Sequence, residues 1–244
     1  MIDHCASTEG GTVSRTPEGS SAGSRAGGHV PSGKRALERA PLPERVRGFL
    51  LEGLLTGRWG PGDRIVERRV ATELGISQAP VREALRELQG MQLVEGAPNR
   101  GMRVRELSLS RLRDVYQVRA ALERRAGELA SRRLAGDVTA LERELARMRE
   151  AAREGDMERQ LRSAVAFHRV IVHACGNEVL IRHWELLGVE VWTRLSLRWL
   201  RTGLHENAED HEAVVEAVRR QDPYLGRLLE LHVLEYASRS TAEG

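Results

Sequence analysis

Apolar residues recur at three- and four-residue steps along most of this chain, and the interruptions divide it into elements. From Leu42 onward, Val46, Phe49, Leu50 and Leu54 define one stripe, predicting a helix that ends in the turn-forming stretch Gly57-Arg58-Trp59-Gly60-Pro61-Gly62. Arg64 to Val66 reads as a short strand. In Glu67 to Leu74, Val70, Ala71 and Leu74 share a helical face, and Gly75 stops it. Ser77 then stands where a hydroxyl can cap the next helix, and Pro80 falls in its first turn, where a missing amide costs little. Beyond it Val81, Ala84, Leu85 and Leu88 turn inward, leaving Arg82, Glu83 and Arg86 outward. Two helices around a tight turn, the second basic on its outer face, predict a helix-turn-helix. Leu93 to Glu95 and Met102 to Glu106 read as strands joined by a turn over Ala97 to Gly101, which adds a wing.

After a linker at 107–110 the helical period continues almost unbroken. Helices are expected at about 110–133, 137–153, 156–174, 177–200, 207–220 and 223–238, with glycines or Asp222-Pro223 at most junctions. The fold class is mainly α: a winged helix-turn-helix over 40–106, then an all-α helical bundle over 111–240. Residues 1–39, rich in Gly, Ser, Thr and Pro with no apolar period, read as a disordered tail.

A chain of 244 residues with 41% hydrophobic and 30% charged residues has material for one ordinary domain or two small ones. Cys5 and Cys175 are the only cysteines, too few for a disulfide framework, so a reducing compartment is expected. No apolar run approaches the ~20 residues that span a bilayer, and the opening MIDHCASTEGG lacks a secretory pattern, so a soluble, cytoplasmic protein without membrane contact is expected. The formal net charge of +3 is too small to demonstrate a nucleic-acid partner, so the placement of charge decides. Arg82 is placed to offer its fork to guanine O6 and N7 in a major groove, Arg100 at the wing tip suits a minor groove or a phosphate, and the Ser77 hydroxyl suits a phosphate. For each arginine the alternative is a solvated surface charge.

In the helical half His168, His211 and His232 form a candidate metal-ligand set for Zn2+ or another divalent ion. His211 and His232 are separated by about one helix, a turn and another helix, which brings them to facing surfaces of an antiparallel pair. Spacing alone favours core or surface histidines over a metal site. Trp184, Trp192 and Trp199, at eight- and seven-residue intervals, read as a core or interface stripe or as a cover for an apolar ligand. Cys175 has no paired thiol or activating motif.

The segment from ERVRGFLLEG through RGMRV resembles the winged helix of GntR-family transcriptional regulators. The motifs DVYQVRAALERRAGELA, FHRVIVHACGN and DHEAVVEAVRRQD, with His232, resemble the FCD effector domain of the FadR subfamily. The resemblance covers about 200 of the 244 residues. It implies a homodimer on a palindromic operator, acting as a transcriptional regulator and most simply as a repressor, with a small carboxylate metabolite in the C-terminal domain changing DNA affinity. It adds Arg68 to the DNA-binding candidates and marks a departure at Gln78, where many members carry arginine. Gln pairs bidentately with adenine and cannot grip guanine as arginine does, so a shifted operator preference is expected.

The resemblance also favours a metal role for the three histidines and expects an aspartate four residues before the first, where this chain has Ala164. Losing that oxygen ligand lowers metal affinity or makes metal and effector bind together. Arg119 is implied as an effector contact, against the alternative of an intrahelical pair with Glu123; Asn177 is implied as a ligand-orienting residue, against the alternative of a helix cap. Two other functions remain open at this point: a metal-dependent hydrolase using the three histidines, and an architectural DNA binder with a vestigial sensor.

Overall fold

The structure, a computed structural model, describes residues 41–97, 101–200 and 203–238. The expected tail at 1–39 and Arg100 lie outside the described residues.

The chain opens with α1 (Leu42–Leu55), β1 (Arg64–Ile65), α2 (Glu67–Leu74), α3 (Gln78–Gly90), β2 (Val94–Ala97) and β3 (Gly101–Val104). Val46, Leu50 and Leu54 of α1, Val70 and Ala71 of α2, and Val81, Ala84, Leu85 and Leu88 of α3 are all buried, as the apolar stripes require. The three strands form an antiparallel sheet of order β1-β3-β2, with Ile65 opposite Met102 and Val94 opposite Val104. The hairpin strands lie closer to the turn than expected: pairing runs out to Ala97 opposite Gly101, so the backbone ladder continues into residues that composition marks as turn formers. Ser77 occupies the N-cap position of α3, but its side chain makes no capping bond.

The helical half follows as α4 (Leu109–Leu134), α5 (Thr139–Glu154), α6 (Met157–Ala174), α7 (Glu178–Leu186), α8 (Val189–Leu200), α9 (Leu204–Glu209), α10 (Glu212–Arg219) and α11 (Leu225–Ser238). Helix α4 begins inside the expected linker, with Ser108 as its cap accepting from the Arg111 amide at 3.3 Å. Helix α11 runs along α4 at a close approach that two glycines permit. A Cβ on Gly226 would lie 2.5 Å from the Arg124 carbonyl oxygen, and one on Gly127 2.9 Å from the Gly226 Cα.

Two helices expected as single rods are each broken. The 177–200 segment divides at Gly188, whose φ of +67° is the left-handed conformation that ends a helix; a Cβ there would also meet the Met91 Cγ at 2.6 Å. The 207–220 segment divides at Asp210–His211 with no glycine or proline to mark it. There the His211 ring nitrogen Nδ1 donates to the Asn207 carbonyl at 2.7 Å, the acceptor that a continuous helix would assign to the His211 amide. That amide turns to Ala208 instead.

Among the described residues, buried apolar side chains form two clusters. One lies within the helical half, around Phe167, Trp184 and Met148. The other joins the winged segment to Leu112 and Tyr116 of α4, Val191, Trp192 and Leu195 of α8, and Val233 and Tyr236 of α11. The Trp192 indole nitrogen Nε1 adds a hydrogen bond to the Met91 carbonyl, 3.2 Å away at the C-terminal end of α3. Among the described residues, no helix is long and apolar enough to cross a membrane.

Candidate nucleic-acid interface and metal centre

The outer face of α2 and α3 is built by subtraction: with the apolar side chains turned inward, Arg68, Ser77, Gln78 and Arg82 are all left exposed. Arg82 is not loose on this face. Its Nε and Nη2 donate to the Glu67 carboxylate at 3.0 and 2.9 Å, tying α3 to the first residue of α2. This pair engages one edge of the guanidinium and leaves Nη1 for a further acceptor. Arg68 and Arg82 therefore flank a turn carrying a free hydroxyl and a carboxamide, groups that contact phosphates and base edges.

The three histidines come together. His168 on α6, His211 at the start of α10 and His232 on α11 are all buried, and one ring nitrogen from each lies within 4.8 Å of the others. Hydrogen bonds determine the tautomers of two of them. His168 Nδ1 lies 2.6 Å from the Glu123 carboxylate and His211 Nδ1 lies 2.7 Å from the Asn207 carbonyl. Neither acceptor can donate, so both Nδ1 atoms carry the proton, and the Nε2 lone pairs remain for a metal. His211 Nε2 is buried with no hydrogen-bond partner among the described residues. Burial pushes the His211 pKa down to about 3, with His168 nearby adding to the shift and the Asn207 bond opposing it. Burial likewise lowers that of His168, with Glu123 opposing. Neutral imidazoles with inward lone pairs are what a divalent metal needs, so this set fits Zn2+ or a similar ion.

Glu123 organises the wall behind them. Its Oε1 accepts from Arg119 Nε at 2.7 Å and from Trp184 Nε1 at 2.9 Å, and its Oε2 faces His168. Burial acts to raise its pKa, but Arg119 and His168 outweigh it and hold the carboxyl well below the usual range. The intrahelical pair between Arg119 and Glu123 is thus realised, while Arg119 also lines the cavity and donates to Thr193 Oγ1 at 3.2 Å.

The cavity itself is about 20 Å³, above the ~10–15 Å³ that one water needs, so a ligand of more than a few atoms requires its walls to move. Ala164 lines it, at the position where the resemblance expects an aspartate. Asn177 is not brought there: its side-chain oxygen accepts from the Leu180 amide at 3.1 Å, so the capping alternative is the one realised. The tryptophans do not form one stripe, because the break at Gly188 puts Trp184 behind Glu123 and Trp192 against Met91; the Trp199 side chain lies outside the described residues. Periodicity alone does not single out Thr193 and Ser196, which line the cavity from α8. The available signal is two hydroxyls at i, i+3 in the run WTRLSL, where Arg194 is the other polar residue.

Comparison with known proteins agrees with this geometry. Residues 42–104 match the family described as bacterial regulatory proteins of the gntR family, and residues 114–235 match the FCD domain. The chain is 35% identical over 203 residues to a probable D-xylose utilization operon transcriptional repressor of Paenarthrobacter nicotinovorans, covering 83% of this chain and 90% of that protein. It is 27% identical over 198 residues to the HTH-type transcriptional regulator McbR of Escherichia coli, covering 78% and 88%. A solved structure of E. coli McbR/YncC superposes with a TM-score of 0.62 at 26% identity, covering 80% of this chain and 94% of that one. The hydrolase alternative has no counterpart among these matches. The two domain matches, which fall on the winged helix and the helical half in turn, and the 35% identity over 83% of the chain show that it belongs to the gntR family of bacterial regulators with an FCD domain and is a DNA-binding transcriptional regulator.

Proposed function

We propose that the chain works as a homodimer of the FadR subfamily that occupies a palindromic operator and represses transcription, and that a small carboxylate metabolite in the FCD cavity changes its DNA affinity. In this reading the reading head is 40–106, the hinge is 107–110 and the sensor is 111–240. Arg82 reads a base pair in each half-site and Gln78 a neighbouring one; Arg68, Ser77 and Arg100 hold phosphates or the minor groove. Two linked copies gain effective concentration that one small winged helix lacks. His168, His211 and His232 would hold a divalent metal, which supplies a Lewis-acidic centre for the ligand's oxygens. Arg119, fixed by Glu123 and Thr193, faces the same space. Repression also suits the first relative described above, whose name is that of a probable operon repressor.

The observation that carries this reading is the double role of α8. Thr193, Ser196 and Leu197 line the cavity, while Trp192 of the same helix bonds to Met91 at the end of α3. A ligand that displaces the cavity wall therefore moves the support of the reading helix, and about 1.4 kcal/mol of difference in ligand binding between two such placements changes operator affinity tenfold. The experiment is selection of genomic fragments by the purified protein, followed by operator titrations with carboxylates at defined metal content. Enrichment of a palindrome whose affinity shifts with one carboxylate supports it. A palindrome whose affinity responds to no carboxylate or metal leaves an architectural binder with a vestigial sensor, and loss of preference over scrambled duplex removes the operator reading altogether.

A further inference from the structure

The winged half carries a second group of cations besides Arg68 and Arg82. A groove of about 390 Å³ opens between the turn after α1, strand β1 and helix α2, and Arg58, Arg64 and Arg69 line it together with Trp59 and Glu73. Arg58 is already neutralised there. Both of its Nη atoms donate to the Glu73 carboxylate, one of them at 2.8 Å, and its guanidinium lies over the Trp59 ring, 4.7 Å from the centroid. Arg64 and Arg69 are exposed, and the acids around them are taken: Glu67 holds Arg82, Glu95 holds Arg105, and the Asp63 carboxylate accepts from the Gly60 amide. Three arginines against one glutamate leave the groove with two uncompensated positive charges among the described residues.

The sheet beside the groove gives a second observation. Arg64 stands directly opposite Arg103 in the β1–β3 ladder, and like charges so placed disfavour the pairing. Arg103 turns away, its Nη1 donating to the Gly62 carbonyl at 2.7 Å, while the Arg64 guanidinium lies along Gly101, where a Cβ would meet its Nε at 3.2 Å. Gly101 opens the strand that returns from the wing, and Arg69 follows Arg68 in the first turn of α2. The groove therefore runs beside the face that carries Arg68 and Arg82, from the wing to the start of α2. An anion shared by Arg64 and Arg69 relieves the crowding of like charge that the fold otherwise carries. The Trp59 ring, covered by Arg58 and packed against Gly53, is not free to stack on a nucleobase, so the groove offers charge without a surface for a nucleoside.

We propose that Arg64 and Arg69 form a phosphate clamp on the winged helix, and that its occupant is the sugar–phosphate backbone of duplex DNA. The clamp adds affinity for any sequence and leaves base identity to the neighbouring helix face. Arg58, held by Glu73 and the aromatic ring, shapes the floor of the groove without adding to its net charge.

Titration of a scrambled duplex with the full-length protein at several salt concentrations tests this, because the slope of log affinity against log salt counts the phosphates neutralised. Arg64→Ala and Arg69→Ala are each expected to lower that slope by about 0.9 for every protein copy bound, and to weaken binding several-fold with Tm unchanged. Arg69→Lys is expected to keep the slope, since a phosphate accepts a point charge, and Arg69→Glu to weaken binding further than Arg69→Ala by giving Arg64 an internal partner. Arg153→Ala removes one exposed charge from α5 in the helical half and is expected to leave the slope at the parent value. A parent slope kept in one of the two alanine variants removes that arginine from the clamp, and a parent slope kept in both overturns it. An equal fall in Arg153→Ala overturns it as well, because bulk charge alone would then account for the change. Inorganic phosphate supplies the remaining arm: phosphate that binds the parent but not Arg69→Ala, with duplex slopes unmoved, assigns the groove to a free phosphate and overturns the DNA occupant. None of these outcomes depends on a preference for operator over scrambled duplex, so the clamp and the operator reading fail separately.

Discussion

Two arginine–glutamate pairs, one in each half of the molecule, use the same groups to opposite ends. Arg82 and Glu67 join α3 to α2 with their side chains 52% and 29% exposed; Arg119 and Glu123 lie one turn apart on α4 with theirs at 5% and 1%. Water and salt screen the first pair, so DNA can share or replace the Glu67 contact at small cost. The second pair has no such freedom. Opening it strands a charge among apolar neighbours, and Glu123 also holds His168 and Trp184. The winged helix thus keeps its charges available, and the helical half keeps its own fixed.

The comparison breaks most visibly at Glu123. Replacing it with Gln leaves the Arg119 guanidinium buried without its counter-charge and should cost about 3–5 kcal/mol of stability. For a chain of this size that lowers Tm by about 6–20 °C, measurable by thermal unfolding in the presence of a chelator. The equivalent change in the exposed pair should leave Tm almost unmoved. Equal Tm values for the two variants would show that burial does not separate the pairs.

Acidification gives the next largest effect, and its sign follows from the histidines. In the folded chain His211 protonates only near pH 3, against an ordinary value of about 6.5 in the unfolded chain. Below pH 6.5 the unfolded state therefore binds a proton that the folded state refuses. The stability due to the neutral ring is complete above that pH and is lost as pH falls towards 3, at about 1.4 kcal/mol per pH unit. His168 is shifted the same way, and Glu123, with its pKa depressed, adds a further loss below the ordinary carboxylate range. Urea unfolding at pH 7, 6, 5 and 4 should show this decline, and His211→Asn should make it shallower. A flat profile between pH 7 and 4 would contradict the buried neutral ring.

How far the sequence anticipates these features depends on whether the signal is local. Gly75 and Gly155 end their helices at positive φ, as a glycine after an apolar stripe implies, and the stripes of α1 to α3 identify the buried residues of the winged helix. The break at His211 is not legible, because it arises when a side chain takes a backbone acceptor and no turn residue announces it. Gly188 is visible, yet the helical period runs through it, and its second reason, contact with Met91, lies across the chain. The histidine trio is legible as spacing and resemblance. Glu123 is legible only as the neighbour of Arg119, since its bonds to His168 and Trp184 join residues 45 and 61 positions away.

On the DNA side, Arg82→Ala should weaken operator binding by about 5- to 150-fold and flatten discrimination at one base pair per half-site, because a bidentate arginine carries both affinity and identity. Arg68→Ala should instead weaken specific and scrambled duplex alike and reduce the salt slope if Arg68 holds a phosphate. Binding titrations at several salt concentrations separate the two. Gln78→Arg should restore a preference for guanine at the contact that Gln78 makes; an unchanged preference at every operator position would exclude Gln78 from reading bases.

The smallest effect is the sharpest test of the exposed pair. Glu67 holds the Nε edge of Arg82 and thereby orients the other edge before DNA arrives, which limits the side-chain freedom lost on binding. Glu67 also places a negative charge on the face proposed to meet DNA, so removing it has two opposed consequences. Glu67→Gln should leave Tm unchanged, strengthen binding to scrambled duplex slightly and weaken discrimination at the Arg82 base pair, so that the specificity ratio falls by about two- to fivefold while bare affinity barely moves. Measured as the ratio of operator to scrambled affinity at one salt concentration, a fall in the ratio identifies Glu67 as a positioning residue for Arg82. An equal gain on both duplexes would mean that it contributes only charge.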